Sequence, residues 1–126
     1  MERKGKGADS MKRIEKALDE LNICKYKWYK DDYSADGSWY GLVEFWTDTA
    51  GQDIPTEFYF DGTAEDFVEK FCEAADCYDV DCEVEIFVDS RGKNGVPKTV
   101  REILDDCQEA KDTLIMIANK LKEAIA

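Results

Sequence analysis

The sequence predicts a small α+β domain in which a three-stranded antiparallel meander is packed by helices and followed by a long C-terminal helix. Three observations carry this. Between residues 24 and 60 apolar residues recur mainly with period two, while on either side they recur at i, i+3, i+4 and i+7, so strands lie between helices. Turn-forming residues punctuate the period-two stretch. The length of 126 residues suits one domain with one core.

Met1–Ser10 is Gly- and Lys-rich and aperiodic, and reads as a flexible tail ahead of a single domain over 11–126. Met11, Ile14, Leu18 and Leu21 then make a helical stripe, with Ser10 as N-cap and Asn22 as stop. Cys24, Tyr26 and Trp28 alternate with Lys25, Lys27 and Tyr29 as a first strand. Asp36-Gly37 is a turn signal. The second strand, Trp39 to Thr47, places Trp39, Val43 and Phe45 on one face and Tyr40, Leu42, Glu44 and Trp46 on the other. After a turn at Gly51-Gln52-Asp53, Ile54, Thr56, Phe58 and Phe60 alternate with Pro55, Glu57 and Tyr59. Pro55 offers no backbone donor, which puts this third strand at an edge or its start there.

Thr63 to Asp66 resembles a capping box opening a helix whose stripe is Val68, Phe71, Cys72 and Ala75. Residues 79–89 fit either a strand (Val84, Ile86, Val88) or a helix (Val80, Val84, Phe87, Val88). Helix is preferred, because Asp79 can cap it and Asp81 and Glu83 suit its positive end. Ser90 to Val96 reads as a linker. Beyond Pro97, Thr99 and Glu102 form a capping box for a helix over 99–125. Its apolar seam includes Val100, Ile103, Leu104, Cys107, Leu114, Ile117, Leu121 and Ile125, at nearly heptad spacing. The seam serves either one long core helix, the preferred reading, or a homodimer.

Charge narrows the function classes. The net charge is −12, and it is concentrated: residues 31–90 hold 18 acids and one base, Lys70, a net of −17. Such a field repels nucleic acid and membrane phosphates and attracts cationic partners. No apolar run reaches the ~20 residues that span a bilayer, and nothing resembles an export signal. Together with an odd count of five cysteines (Cys24, Cys72, Cys77, Cys82, Cys107), this points to a cytoplasmic, reduced protein. The cysteines read as small buried apolar residues.

Catalysis and cofactors find little support. Histidine is absent, which removes the commonest general base and metal ligand. No Gly-rich loop has phosphate-binding spacing, so neither an enzyme nor a cofactor is expected. Asp32-Tyr-Ser34-Ala-Asp36-Gly37 opens like a calcium loop, but position twelve is Val43 and the acid arrives late at Glu44. A solvated hairpin loop is the better account, and a calcium-binding module ranks third among functions.

Two features remain. Asp79, Asp81, Glu83 and Glu85 alternate in a stretch with almost no neutralising base, which suits a basic partner. The second face of the sheet would carry Tyr29, Tyr40, Leu42, Trp46 and Tyr59. Either the C-terminal helix or a second subunit covers these residues, or they form an exposed aromatic surface.

Val68-Glu69-Lys70-Phe71 followed by the acid-rich stretch through Glu85 resembles the helix pair of small acidic type II-A anti-CRISPR proteins, which occupy the DNA-reading surface of a nuclease as DNA mimics. The resemblance spans residues 11–89 through element order. The Trp- and Tyr-rich sheet, the cysteines and the extra C-terminal helix depart from it. The chain also looks like small proteins of bacterial mobile elements. The resemblance implies that Asp76, Asp79, Asp81, Glu83 and Glu85 stand in for phosphates before Arg and Lys side chains. The expected function is a non-enzymatic acidic binding protein for a basic nucleic-acid-binding partner, without direct contact to nucleic acid or membrane. The alternative is a homodimeric structural or accessory protein assembled through the C-terminal helix.

Overall fold

The computed structural model describes residues 3–33, 37–46, 54–90 and 99–126. Its elements are α1 (Arg3–Leu21), β1 (Cys24–Lys30), β2 (Trp39–Phe45), β3 (Ile54–Phe60), α2 (Ala64–Cys77), α3 (Val80–Ser90) and α4 (Val100–Ile125). This is the α+β arrangement expected. Asp36 of the Asp36-Gly37 turn, the turn at 51–53 and residues 91–96 of the linker lie outside the described residues, while Gly37 has a φ of 75° as a turn residue should.

The first helix begins at Arg3, earlier than the periodicity suggested, so Ser10 lies within the helix instead of capping it, and 3–10 are not an unstructured tail. The apolar stripe marks only where a helix is packed. Adding residues to turns already fixed needs no new nucleus, so the helix can run beyond its stripe. It stops as expected at Asn22, whose φ of 55° lies in the left-handed region that asparagine tolerates at helix ends.

The sheet is a meander in the order β1-β2-β3, both pairs antiparallel, so β3 with Pro55 is indeed an edge. The register puts Cys24, Tyr26 and Trp28 on the same face as Trp39, Gly41, Val43 and Phe45, and as Ile54, Thr56, Phe58 and Phe60. This face meets the helices. Phe67 of α2 is its hub: the ring is fully buried and lies 5.1–5.2 Å, centroid to centroid, from Trp28, Phe58 and Phe60 in edge-on contacts, a favoured aromatic geometry. Gly41 makes the close approach possible. A Cβ there would stand 3.1 Å from both the Phe67 and the Phe60 ring, so the middle strand gives up a side chain where α2 comes down on it.

The β3–α2 corner is built by reciprocal bonds. Thr63 caps α2 by accepting from the Asp66 amide, and Asp61 accepts from the Thr63 amide and hydroxyl. Asp66 reaches back to the Asp61 amide at 2.9 Å, two residues further than the N-cap amide that Glu or Gln serves in a capping box. Between them Gly62 has φ +96°, and a Cβ would lie 2.7 Å from the Trp39 indole nitrogen. Gly62→Ala is therefore expected to cost about 1–2 kcal/mol from its backbone conformation alone. Urea unfolding would check this, and an unchanged midpoint would remove the argument.

The outer helix α4 buries Ile103, Cys107, Ala110, Leu114, Ile117, Ala118 and Leu121 against α1, α2 and α3. Its predicted capping box is present, with Thr99 and Glu102 exchanging bonds of 2.9 and 3.1 Å. The heptad-like seam thus packs within the chain as a core helix, and only its start departs: Val100 and Leu104 are exposed. Lys120 of α4 pairs with Glu20 of α1 at 3.0 Å. That bond holds the Glu20 carboxyl below its ordinary range.

Candidate partner-binding surfaces

The α2–α3 corner is where the acidic residues gather. Tyr78 ends α2 in an extended conformation (φ −68°, ψ 114°), and the chain turns at once into α3. Asp79 caps α3 as the sequence suggested: its carboxylate accepts from the Cys82 amide at 3.2 Å and its carbonyl from the Glu83 amide at 3.0 Å. The negative charge of Asp79 also raises the Cys82 thiol pKa. Residues 80–90 are helical, which settles the strand-or-helix ambiguity in favour of helix.

Helical geometry breaks up the alternation of carboxylates. Asp81 and Glu85, four residues apart, share an exposed face. Glu83 sits with Val80, Val84 and Phe87 on the half-buried side, the side toward α4. The five carboxylates named from sequence therefore do not form one array: Asp76, Asp79, Asp81 and Glu85 are exposed, and Glu83 is partly withdrawn. Sequence reasoning missed a second row. Glu65, Glu69 and Glu73 follow at steps of four and lead to Asp76, all exposed along α2. The i, i+4 spacing was the available signal.

What holds this corner is a lysine from elsewhere. No basic residue lies in the last turn of α2, and Asp76 there opposes the negative end of the helix dipole. The ammonium of Lys111, on α4, donates to the carbonyls of Ala75 and of Tyr78, the latter at 2.9 Å. Both lie at the end of α2, where Ala75 also accepts a long bond of 3.4 Å from the Tyr78 amide. The single base of residues 61–90, Lys70, is held by Asp66 at 2.9 Å. Lys70 and Lys111 are thus both engaged within the fold.

The far side of the sheet is the second surface. Three cross-strand rows run across β1, β2 and β3: Lys25–Glu44–Pro55, Lys27–Leu42–Glu57 and Tyr29–Tyr40–Tyr59. The tyrosine rings stand 5.3 and 5.9 Å apart. The Tyr40 hydroxyl donates to Glu57 at 2.8 Å and that of Tyr59 to Asp31 at 3.2 Å. The bond to Glu57 pushes the Tyr40 pKa up to about 12, and the bond to Asp31 raises that of Tyr59. Tyr29, Tyr59 and Trp46 are 46, 54 and 38% exposed. Of the alternatives offered for this face, cover by α4 is ruled out: α4 packs on the other helices, because its seam matches the stripes of α1 and α2. Among the described residues, the aromatic surface is open.

The cysteines divide. Cys107 is buried, Cys24 and Cys72 are partly so, and Cys77 and Cys82 are exposed at the acidic corner, which corrects the uniformly buried reading. Burial raises the Cys24 thiol pKa to about 11. Among the described residues no group of three or more Cys, Asp or Glu side chains is arranged to hold a metal. Ser34–Asp36 of the calcium-like run lie outside them. Among the same residues no helix is long and apolar enough to cross a membrane. No protein-family model, curated protein or solved structure matches the chain.

Proposed function

We propose that this is a non-enzymatic binding protein that presents the carboxylates of the α2–α3 corner to a basic, nucleic-acid-binding partner. In its sharpest form it is a cytoplasmic DNA-mimic inhibitor like the anti-CRISPR proteins that its element order resembles. The observation that carries the reading is the exposed row Glu65, Glu69, Glu73 and Asp76, continued by Asp81 and Glu85, where Lys70 is already paired with Asp66 and Lys111 is engaged by backbone carbonyls. Like charges held this close repel one another, and a cationic partner relieves that repulsion. Phosphate-like contacts with Arg and Lys follow, with direct nucleic-acid or membrane binding disfavoured by the same field.

The test is capture of DNA-binding proteins on the immobilised chain, at low and high salt, with duplex DNA as competitor. Captured proteins should be released by salt and by DNA. The triple variant Asp76→Asn, Asp81→Asn, Glu85→Gln should bind them about tenfold or more weakly, with a flatter salt dependence. Glu83→Gln, altering a half-withdrawn group, should bind like the parent. If the triple variant keeps the parent's affinity and salt slope, the acidic corner is only a solvated surface and the reading fails.

A further inference from the structure

The outer face of the sheet has a charge pattern that fits itself. Within its strands this face carries two lysines, Lys25 and Lys27, and two glutamates, Glu44 and Glu57, which balance on a chain of net charge −12, while Asp31, just past β1, is held by the Tyr59 hydroxyl. The two lysines stand on edge strand β1, and Glu57 stands on the opposite edge strand β3 in the same row as Lys27. The hydroxyl and ring contacts of Tyr40 and Tyr29 engage Glu57 and Lys27 only on one side: Glu57 accepts one bond from Tyr40, and the Lys27 ammonium lies 5.6 Å from the Tyr29 ring centroid. A carboxylate and an ammonium each retain capacity for further partners.

We propose that two copies of this chain meet through this face. A two-fold axis lying in the interface, parallel to the strands and over β2, exchanges the edge strands. Each β1 then faces the β3 of the other copy, with strands aligned as in face-to-face sheet packing. Lys27 meets Glu57 of the second copy twice over. Leu42 meets Leu42, and the two tyrosine rows stack end for end. The Glu44 pair at the axis is flanked by both Lys25 side chains. An axis perpendicular to the strands through the Leu42 row would instead set Lys27 against Lys27. The arrangement also keeps the acid-rich helices on the outside, far from each other. Three strands of seven residues span roughly 15 by 23 Å from the usual strand spacing and rise. With side-chain relief this buries on the order of 1,000 Å² in total, at the lower bound of specific interfaces, so a concentration-dependent dimer is expected.

Sedimentation or light scattering across a concentration series tests it with charge swaps at two exposed positions. The parent should rise from 14.4 kDa toward twice that mass. Lys27→Glu alone, or Glu57→Lys alone, places like charges opposite each other twice and should weaken dimerisation about tenfold or more. Mixing the two single variants should restore a heterodimer, and the double variant K27E/E57K should dimerise like the parent, outcomes that no loss of folding can imitate. A parent that stays monomeric at every concentration overturns the proposal. So do single variants that dimerise as well as the parent, or a mixture that fails to associate.

Discussion

A chain ending at Pro97 loses cooperative unfolding. The truncation removes Leu114, Ile117, Ala118 and Leu121 from the same cluster that holds Ile14 and Leu18 of α1 and Phe71 and Ala75 of α2. Burying each of the three large side chains contributes roughly 1.5–3 kcal/mol, so together they approach the whole stability of an ordinary domain, about 5–15 kcal/mol. The exposed stripes of α1 and α2 would then form an apolar patch prone to aggregation. Thermal denaturation followed by near- and far-UV circular dichroism reads the result. A truncated protein that melts sharply near the parent's temperature would show that α4 is an appendage and not part of the core.

Lys111→Met destabilises the fold by about 2–4 kcal/mol, a large effect for one half-buried side chain. Methionine keeps the length and apolar stem but takes the charged donor from both carbonyls, leaving that of Ala75 only the long bond from the Tyr78 amide. Bonds to a charged group contribute about 1.5–3 kcal/mol each, and abandoned acceptors carry a desolvation cost. The positive charge also opposes the negative end of α2, where Asp76 and the helix dipole otherwise reinforce each other. Urea titration gives the stability change, and hydrogen exchange should show α3 amides losing protection first. Lys111→Arg retains the charge and should recover part of the loss. An unchanged urea midpoint for Lys111→Met would mean that water serves these carbonyls equally well.

Much of the framework is legible in local sequence because local sequence causes it. Alternation produced the register of Trp28, Val43 and Phe58, and Thr99 with Glu102 marked the start of α4. Asp79 tipped residues 80–90 to helix. The rest depends on long-range choices. Period two shows that a strand has two faces but not which element covers each, so the open tyrosine row escaped certainty. A heptad-like seam fits a neighbour in the same chain or another, and here α1 and α2 supply it. At the candidate site, Asp81 and Glu85 kept their exposed role while Glu83 lost it, because a helix turns 100° per residue and a strand 180°. Lys111 left no local trace: its partners lie more than thirty residues away.

That distance bears on when the acidic corner can exist during synthesis. The carbonyls at the end of α2 emerge well before the lysine that binds them, and the core shared by α1 and α2 waits for the same helix. From Cys77 to Ile125, at ordinary rates of roughly 5–20 residues per second, the delay is about 2–10 s. Throughout it the nascent chain carries an unclosed core and an unanchored α3. The carboxylate surface is therefore assembled late, only once α4 has left the ribosome and folded back, and partial chains lack it.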